Sequence, residues 1–361
     1  MTPNPPVCSV PNARFDTTDP GGTYRPDVAP SPSKGTQFKP LTNMEPRDAV
    51  LVDVPNDPLS LFLKFVPETL MEEWVNTTNS SVDDLLSTNE HSDQARIASW
   101  TPTSVPEVYT FIAMILSMEN HPETSIVNYW KFSADDDTRP IHSFTRHMSL
   151  RRFQVLFRRL HVFKDGDVMP LAFGPDLDGP RLKAYRQVET WSQHIQQTML
   201  EVYIPGSHVA VDECMVEFTG RSSLKTHIPN KPTPDGIKVW VVAEKGIFLR
   251  WLRHVPNSGP IGIPPKRKND DGILRITPTQ QVVISLLKLL PPVKYHVYLD
   301  NLFSSPDLFK YLYDIDIGAS GTTRVNSGIN VEIANAKTKG DRSRPWGWTM
   351  QVPTACEKVV L

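Results

Sequence analysis

Apolar residues recur at intervals of three and four along the first half of the chain, beginning near residue 57. This spacing is typical of amphipathic helices, and Asp57 followed by Pro58 provides a start signal for the first of them. Similar patterns continue over residues 104–120, 149–163 and 181–203. Together they predict a mostly helical domain over residues 57–204.

Beyond Pro205 and Gly206 the pattern changes to alternation of apolar and polar positions, which is typical of β-strands. Three sequential antiparallel strands are predicted over residues 208–218, 236–246 and 247–255. Helices and strands then alternate, over residues 277–290, 295–301, 305–316 and 318–326. Strands that first pair in sequence and then connect through helices predict an α/β (α+β) fold, with a mixed sheet flanked by helices.

Composition adds limits to this picture. Residues 1–56 are rich in proline and show no periodic apolar face, so they are predicted to form a disordered tail. The formal charge of −2 argues against coating nucleic acid through bulk positive charge, but it leaves room for a local basic groove. Three widely spaced cysteines favour a reducing compartment and no zinc site, and the sequence predicts neither a secretory signal nor a membrane span.

Two acids stand on or directly after predicted strands. Alternation along "VAVDE" places Asp212 on the face that carries Ala210 and Cys214, while Glu213 faces the other way. Asp300 follows the short apolar strand "YHVYL". If both carboxylates face one cavity, Mg²⁺ between them would relieve their repulsion and could activate water for phosphodiester cleavage. Alternatively, Asp212 lies in a solvated turn and Asp300 caps the following helix.

The order of four segments resembles the piggyBac-type transposase family: "SLRRFQVLFRRLHVF", "YIPGSHVAVDECMVEFTGRSSLKTHIPNKPTPDGIKVW", "YLDNLFSSPDLFKYLYDIDIGASGTTRVN" and "GDRSRPWGWTM". The block from Pro205 to Lys238 is the most specific of them. The resemblance implies an RNase H-like catalytic domain in which aspartates matching Asp212 and Asp300 bind two Mg²⁺ ions. It also implies a helical domain for dimerisation and DNA binding, action on transposon ends with a TTAA-type target, and a nuclear location.

Basic residues follow the first aspartate. The resemblance makes the loop and the next strand a DNA-backbone contact through Arg221, Lys225, Lys231 and Lys238 as a group, although any single lysine taken alone is better explained as a solvated charge. Glu213 is expected to support the strand or to pair with a loop cation. Arg324 either faces substrate or pairs with an acid. The arginines of residues 149–163 face either DNA or solvent, and "PPKRKND" at residues 264–270 is a weak import signal or a plain loop.

The family's third aspartate lies in a GGVDxxD-type motif, and no acid after Asp300 stands in such a motif. The sequence therefore predicts an incomplete catalytic domain over residues 205–326, followed by a truncated insertion domain over 327–361. Impaired cleavage is expected, because fewer carboxylates hold the metal less firmly. A non-catalytic DNA-binding or regulatory derivative is the alternative function, and a degenerate gene fragment without a stable fold is the third reading.

Overall fold

The computed structural model describes residues 39, 41, 45–87, 100–131, 140–163, 185–229, 231–255, 259–260, 276–339, 351–353 and 358–359. These residues form two compact units. The helical unit contains the described residues between Asp53 and Thr198, and the sheet unit contains residues 45–52 together with those from Met199 onward. The nuclear-import candidate at residues 264–270 lies outside the described residues.

The helical unit follows the predicted pattern, with its helices at α1 Pro58–Phe65, α2 Glu68–Ser87, α3 Val105–Asn120, α4 Leu150–Arg159 and α5 Glu189–Val202. Two short 3₁₀ helices, Ile126–Trp130 and Ser143–His147, lie between α3 and α4. The predicted start signal is confirmed, because the Asp57 carboxylate accepts hydrogen bonds from Leu59 N and Ser60 N at 3.1 and 2.7 Å. No helix among the described residues combines the length and apolar composition needed to span a bilayer.

Two apolar clusters form the core of the helical unit. One groups residues of α1 to α3 around Trp74, whose ring meets that of Trp191 edge-on with centroids 5.0 Å apart. The other joins α3 to α4 through Phe111, Phe153 and Leu156. The apolar stripes read from the sequence therefore face one another, which is the burial that stabilises short helices in water.

The strands of the sheet unit are β1 Val50–Leu51, β2 Tyr203–Ile204, β3 His208–Glu217, β4 Lys225–His227, β5 Asp235–Glu244, β6 Ile247–Val255, β7 Gly259–Pro260, β8 His296–Leu299 and β9 Gly318–Gly321. Its helices are α6 Pro278–Lys288, α7 Pro306–Asp314 and α8 Val331–Lys339. The main sheet runs β7-β6-β5-β3-β8-β9, with β4 also paired to β5. β3, β5 and β6 pair antiparallel as predicted, whereas β3, β8 and β9 pair parallel.

Side-chain caps fix where two helices of the sheet unit begin. α6 begins with a full capping box between Thr277 and Gln280, and α7 begins at the side chain of Ser305. Leu286 of α6 and Leu308 of α7 are fully buried, as are Val211 and Val297 of the two central strands. One face of the β3–β8 pair is therefore covered by apolar side chains, while the opposite side chains remain available for chemistry.

The segment before the helical unit corrects one prediction. Residues 50–51 pair antiparallel with residues 203–204, and Arg47 is held by Ser207. The Arg47 guanidinium donates to the Lys294 carbonyl at 3.2 Å and lies over the Tyr295 ring at 5.6 Å. Residues 45–52 were predicted to belong to a disordered tail. That prediction is wrong for these residues, because Arg47 contacts Ser207, Lys294 and Tyr295 of the sheet unit. Composition alone does not reveal such distant contacts.

Candidate active site

The two predicted aspartates lie on adjacent strands, Asp212 in the middle of β3 and Asp300 directly after the end of β8. The parallel register pairs Ala210 with Tyr298 and Val211 with Leu299, so the next residue of each strand, Asp212 and Asp300, stands at the same level. Val211 and Leu299 are buried, while both aspartates are exposed. Because side chains alternate between faces, the two carboxylates share the exposed face of the sheet.

The sequence carries a signal for this pairing. The two strands read "HVAVD" and "HVYLD", and they align in register from His208 with His296 to the level of the two acids. Along the exposed face, His208, His296 and Tyr298 form a ring cluster with centroids 5.0 to 5.9 Å apart. Repetition of the pattern would have predicted both the register and these neighbours.

Backbone groups orient each carboxylate. Asp212 Oδ1 accepts a hydrogen bond from Glu213 N at 2.7 Å, and Asp300 Oδ1 accepts one from Leu302 N at 2.8 Å. α7 is capped by Ser305, so the alternative reading of Asp300 as the cap of that helix is wrong. Asp300 instead fixes a turn, since its carbonyl also accepts from Ser304 Oγ at 2.8 Å. Each aspartate keeps a second carboxylate oxygen that accepts nothing from the described residues.

The chemistry of this pair fits magnesium. Mg²⁺ prefers hard oxygen ligands and is commonly bound by one or two carboxylates, with water and substrate phosphate completing its shell. Two exposed carboxylates, each already oriented through one oxygen, meet that requirement. Within the described part of the chain, no group of three or more histidine, cysteine or acidic side chains that could hold a metal is found.

Glu213 turns to the opposite face and anchors the basic loop, as the alternation predicted. Its side chain is 11% exposed; Oε2 lies 2.5 Å from Lys238 Nζ and Oε1 lies 3.3 Å from Lys231 Nζ. Burial raises the pKa of Glu213, but the hydrogen bonds and charges of the two lysines outweigh it, and the pKa is below its ordinary value. A carboxylate in this position therefore stays charged and holds the strand β5 to β3.

The predicted DNA-contact residues occupy different environments. Lys238 is 12% exposed and lies over the Trp240 ring at 3.9 Å, so its assignment as a phosphate contact is corrected to support of the sheet. Lys231 is 41% exposed and Arg221 is exposed. Lys225 is 32% exposed and lies 3.4 Å from Asp235 Oδ1. Hydrogen bonding from His227, and then from Lys225, lowers the pKa of Asp235 despite its partial desolvation.

Arg324 lies beside the aspartate pair. Its Nε donates to Asn301 Oδ1 at 3.2 Å, and Asn301 directly follows Asp300. Arg324 is exposed, and the partner of its Nε among the described residues is the neutral amide of Asn301. Whether it faces substrate stays a prediction.

Three of the later acids are engaged in ion pairs with lysines. Asp307 pairs with Lys310 at 3.6 Å, Asp316 with Lys294 at 3.7 Å, and Asp314 with Lys358. Asp341 and Glu357 lie outside the described residues. Among the described residues, the structure therefore brings together two of the acids that the sequence singled out.

The chain is similar to known transposases in both sequence and fold. A family model described as Transposase IS4 matches residues 57–342. The structure is also similar to one titled "Cryo-EM structure of piggyBac transposase synaptic complex with hairpin DNA (SNHP)", with 22% sequence identity and a TM-score of 0.61. The match covers 83% of this chain and 57% of that one. At this identity the likeness concerns the fold, and it confirms the expected mixed α/β, RNase H-like architecture.

Proposed function

Because the chain belongs to the IS4 transposase family, as the sequence resemblance to piggyBac-type transposases indicated, we propose that it acts on DNA through Mg²⁺ held by Asp212 and Asp300. The observation that carries the proposal is the register of β3 and β8, which sets both carboxylates at one level on one exposed face. Two carboxylates so arranged repel each other unless a cation lies between them.

Each residue of the site has a defined part in this proposal. Asp212 and Asp300 hold the metal, and the N–H groups of Glu213 and Leu302 keep one oxygen of each carboxylate in place. When bound, Mg²⁺ supplies polarisation of a phosphoryl oxygen and a water of lowered pKa. Arg324, next to the pair, contacts the phosphate that enters the site.

Cations on the loop after β3 extend the contact along the DNA backbone. Arg221, Lys225 and Lys231 are accessible enough to reach phosphates, which position a duplex without reading its sequence. Glu213 and Lys238 hold the base of this loop against the sheet. The partner is thus DNA, with transposon ends and a TTAA-type target following from the sequence resemblance, and a homodimer in a nuclear setting belongs to the same proposal.

The proposal also includes an expectation for the rate of DNA cleavage. Transition-state stabilisation requires metal ions held where charge develops, and two carboxylates hold them less firmly than three. We therefore expect the 361-residue protein alone to cut DNA slowly or not at all. The alternative function, DNA binding without cleavage, is favoured by the same observation, because the described residues unite two acids and leave the basic loop intact.

The test is titration with Mn²⁺, a paramagnetic substitute for Mg²⁺, followed by electron paramagnetic resonance with and without duplex DNA. Asp212→Asn and Asp300→Asn are each expected to lose the bound-metal signal. Glu217→Gln, an exposed acid further along β3, is the matched control and should keep it. Equal metal binding by all four proteins would refute the assignment of the site.

Cleavage is measured separately on a labelled duplex in the presence of Mg²⁺. DNA binding that survives chelation of the metal, together with no cleavage, would establish the non-catalytic alternative. Rapid cleavage that depends on Asp212 would show that the proposed impairment is wrong while leaving the metal site in place.

A further inference from the structure

A largely exposed turn, "TTRVNSG" at residues 322–328, follows β9 and lies beside the aspartate pair. Thr322 N donates to the carbonyl of Leu299, the residue before Asp300, at 3.3 Å. Arg324 Nε donates to Asn301 Oδ1, on the other side of that aspartate, at 3.2 Å. The turn is therefore attached to the end of the strand that presents Asp300, and it is open to other molecules.

Ser327 closes this turn. Its N–H and its Oγ donate to the carbonyl of Arg324 at 3.1 and 2.6 Å, and its Oγ also meets Thr323 Oγ1. The first and fourth residues of such a turn have Cα atoms less than about 7 Å apart, so a group on Ser327 lies within reach of the Arg324 side chain. Gly328 follows with a φ of 84°, and nothing lies within 4 Å of where its Cβ would stand.

The spacing of Arg324 and Ser327 is the pattern that basophilic protein kinases recognise, because their acidic substrate pockets take an arginine three residues before the acceptor hydroxyl. Ser149 follows Arg146 at the same spacing, but its Oγ accepts a hydrogen bond from Arg152 N at 3.3 Å as the cap of α4. Modification of Ser149 would break that cap. The hydrogen bonds of Ser327 named above lie within its own turn, so Ser327 is the better acceptor.

A phosphate on Ser327 would change the charge beside the aspartate pair. Phosphoserine carries a charge of about −1.5 to −2 at pH 7 and three strong acceptor oxygens. The guanidinium of Arg324, whose Nε binds the neutral amide of Asn301, is a cation within its reach, and arginine pairs with phosphate through two parallel hydrogen bonds. Such a pair would withdraw Arg324 from DNA and would add negative charge near Asp300.

We propose that Ser327 is a phosphorylation site for a basophilic protein kinase, and that its phosphate, paired with Arg324, weakens DNA binding at the aspartate pair. This inference rests on the proposed function, since it names a means of regulating the same site. In the modification, Ser327 Oγ forms a bond to the γ-phosphorus of ATP as the bond from that phosphorus to the β–γ bridging oxygen breaks. ADP leaves, and the hydroxyl proton passes to the base of the kinase.

The first experiment tests the modification. The full chain is incubated with ATP and calmodulin-dependent protein kinase, which recognises an arginine at this spacing, and mass spectrometry locates the phosphate. Ser327 should gain phosphate, Ser327→Ala should lose that site, and Arg324→Gln should lose most of the phosphate on Ser327. Absence of phosphate from Ser327, or its presence on Ser149 instead, would overturn the inference.

The second experiment tests the consequence. Phosphoserine is installed at position 327 during translation, and anisotropy of a fluorescein-labelled duplex is measured in EDTA over about 0.05 to 0.2 M salt. Binding should weaken about tenfold, and the slope of log K against log salt should become shallower by about 1, the value for one lost phosphate contact. Phosphoserine at position 87 is the control, because the exposed Ser87 ends α2, and it should match the wild type.

Arg324→Gln separates pairing from disturbance of the turn. In this background, phosphoserine at position 327 should make the slope no shallower, because the contact is already lost. An equal change of slope with and without Arg324 would overturn the inference, as would wild-type affinity and slope with phosphoserine at 327. Because EDTA removes the metal, the expected result supports the inference even if the Asp212 and Asp300 assignment fails. Absence of duplex binding by the wild type would overturn both the inference and the proposed function.

Discussion

Replacing each of the two lysines that meet Glu213 tests what holds β3 to β5. Lys238 and Lys231 bind the same carboxylate, at 2.5 and 3.3 Å, but their side chains are 12% and 41% exposed. Lys238→Met and Lys231→Met therefore each remove a lysine that pairs with Glu213, one from a largely buried position and one from an exposed position. We expect the free energy of unfolding to fall much more for Lys238→Met.

The magnitude follows from burial. Removing one member of a buried ion pair costs about 3–5 kcal/mol, because the partner is left charged in a poorly solvated site. The loss for Lys238→Met should lie near 3 kcal/mol, since Lys231 still reaches Glu213, and it includes the cation–π contact with Trp240 at 3.9 Å. An exposed ion pair contributes about 0–1 kcal/mol, so Lys231→Met should cost less than 1 kcal/mol.

Urea unfolding followed by circular dichroism measures both values, and the double variant Glu213→Gln/Lys238→Met is the control. Removing both charges should restore part of the stability lost in Lys238→Met, because no unpaired carboxylate remains. Equal losses for the two lysines, or a double variant less stable than Lys238→Met, would show that this pair does not stabilise the sheet in the way argued.

The pH dependence has a definite sign. The pKa of Glu213 is lowered in the folded protein, so its contribution is complete above the unfolded value near 4.3 and is lost as the pH falls through the folded value. In Lys238→Met, only Lys231 remains to oppose the effect of burial, which raises the pKa of Glu213. Glu213 therefore takes up a proton at a higher pH in this variant than in the wild type. The difference in unfolding free energy between wild type and Lys238→Met should therefore narrow below about pH 4.

Three further changes test the sheet unit by the same urea measurement. Ser305→Ala should cost about 1–3 kcal/mol, because it removes the cap of α7 and the acceptor of the buried Gln280 amide at 2.8 Å. Gly236→Ala should cost more than about 1 kcal/mol, since a Cβ there would lie 2.3 Å from the Val216 carbonyl oxygen. Burial and then the nearby Lys238 charge lower the pKa of His254 to about 4, although the charge of Glu213 opposes them. Between about pH 6.5 and 4 the unfolded chain therefore binds more protons than the folded protein does. Stability should fall over that range as the pH drops, and His254→Phe should flatten the decline.

The sequence predicted the elements well where one face of a segment is buried. The alternation in residues 208–218 and 247–255 gave strands close to β3 and β6, because a one-residue slip would have exposed every apolar side chain. The same alternation separated Asp212 from Glu213 correctly. Periodicity also predicted α3 over residues 104–120, but it gave no boundary between α1 and α2, where Pro67 lacks the N–H that would continue the helical hydrogen bonds.

What could not be predicted depends on partners far away in the chain. β1 is only two residues long and exposed, and it exists because its backbone meets β2. β4, at three residues, is too short for any period to show. The sequence did not reveal which carboxylate Lys238 meets, so a lysine of a largely buried ion pair was predicted to contact DNA. The partner of a long side chain is hard to predict wherever several groups lie within its reach.

The two adjacent acids of β3 show how contacts on one face of a strand fix the position of a side chain on the other face. Successive side chains of a strand point to opposite faces, so one acid can remain exposed beside Asp300 while its neighbour is buried against Lys238. The buried acid fixes the strand that presents the exposed one, and Trp240 beneath Lys238 limits how far that pair can move. The position of Asp212 is therefore set from the opposite face of the sheet, and the face that carries Asp212 and Asp300 stays exposed, as the proposed metal site requires.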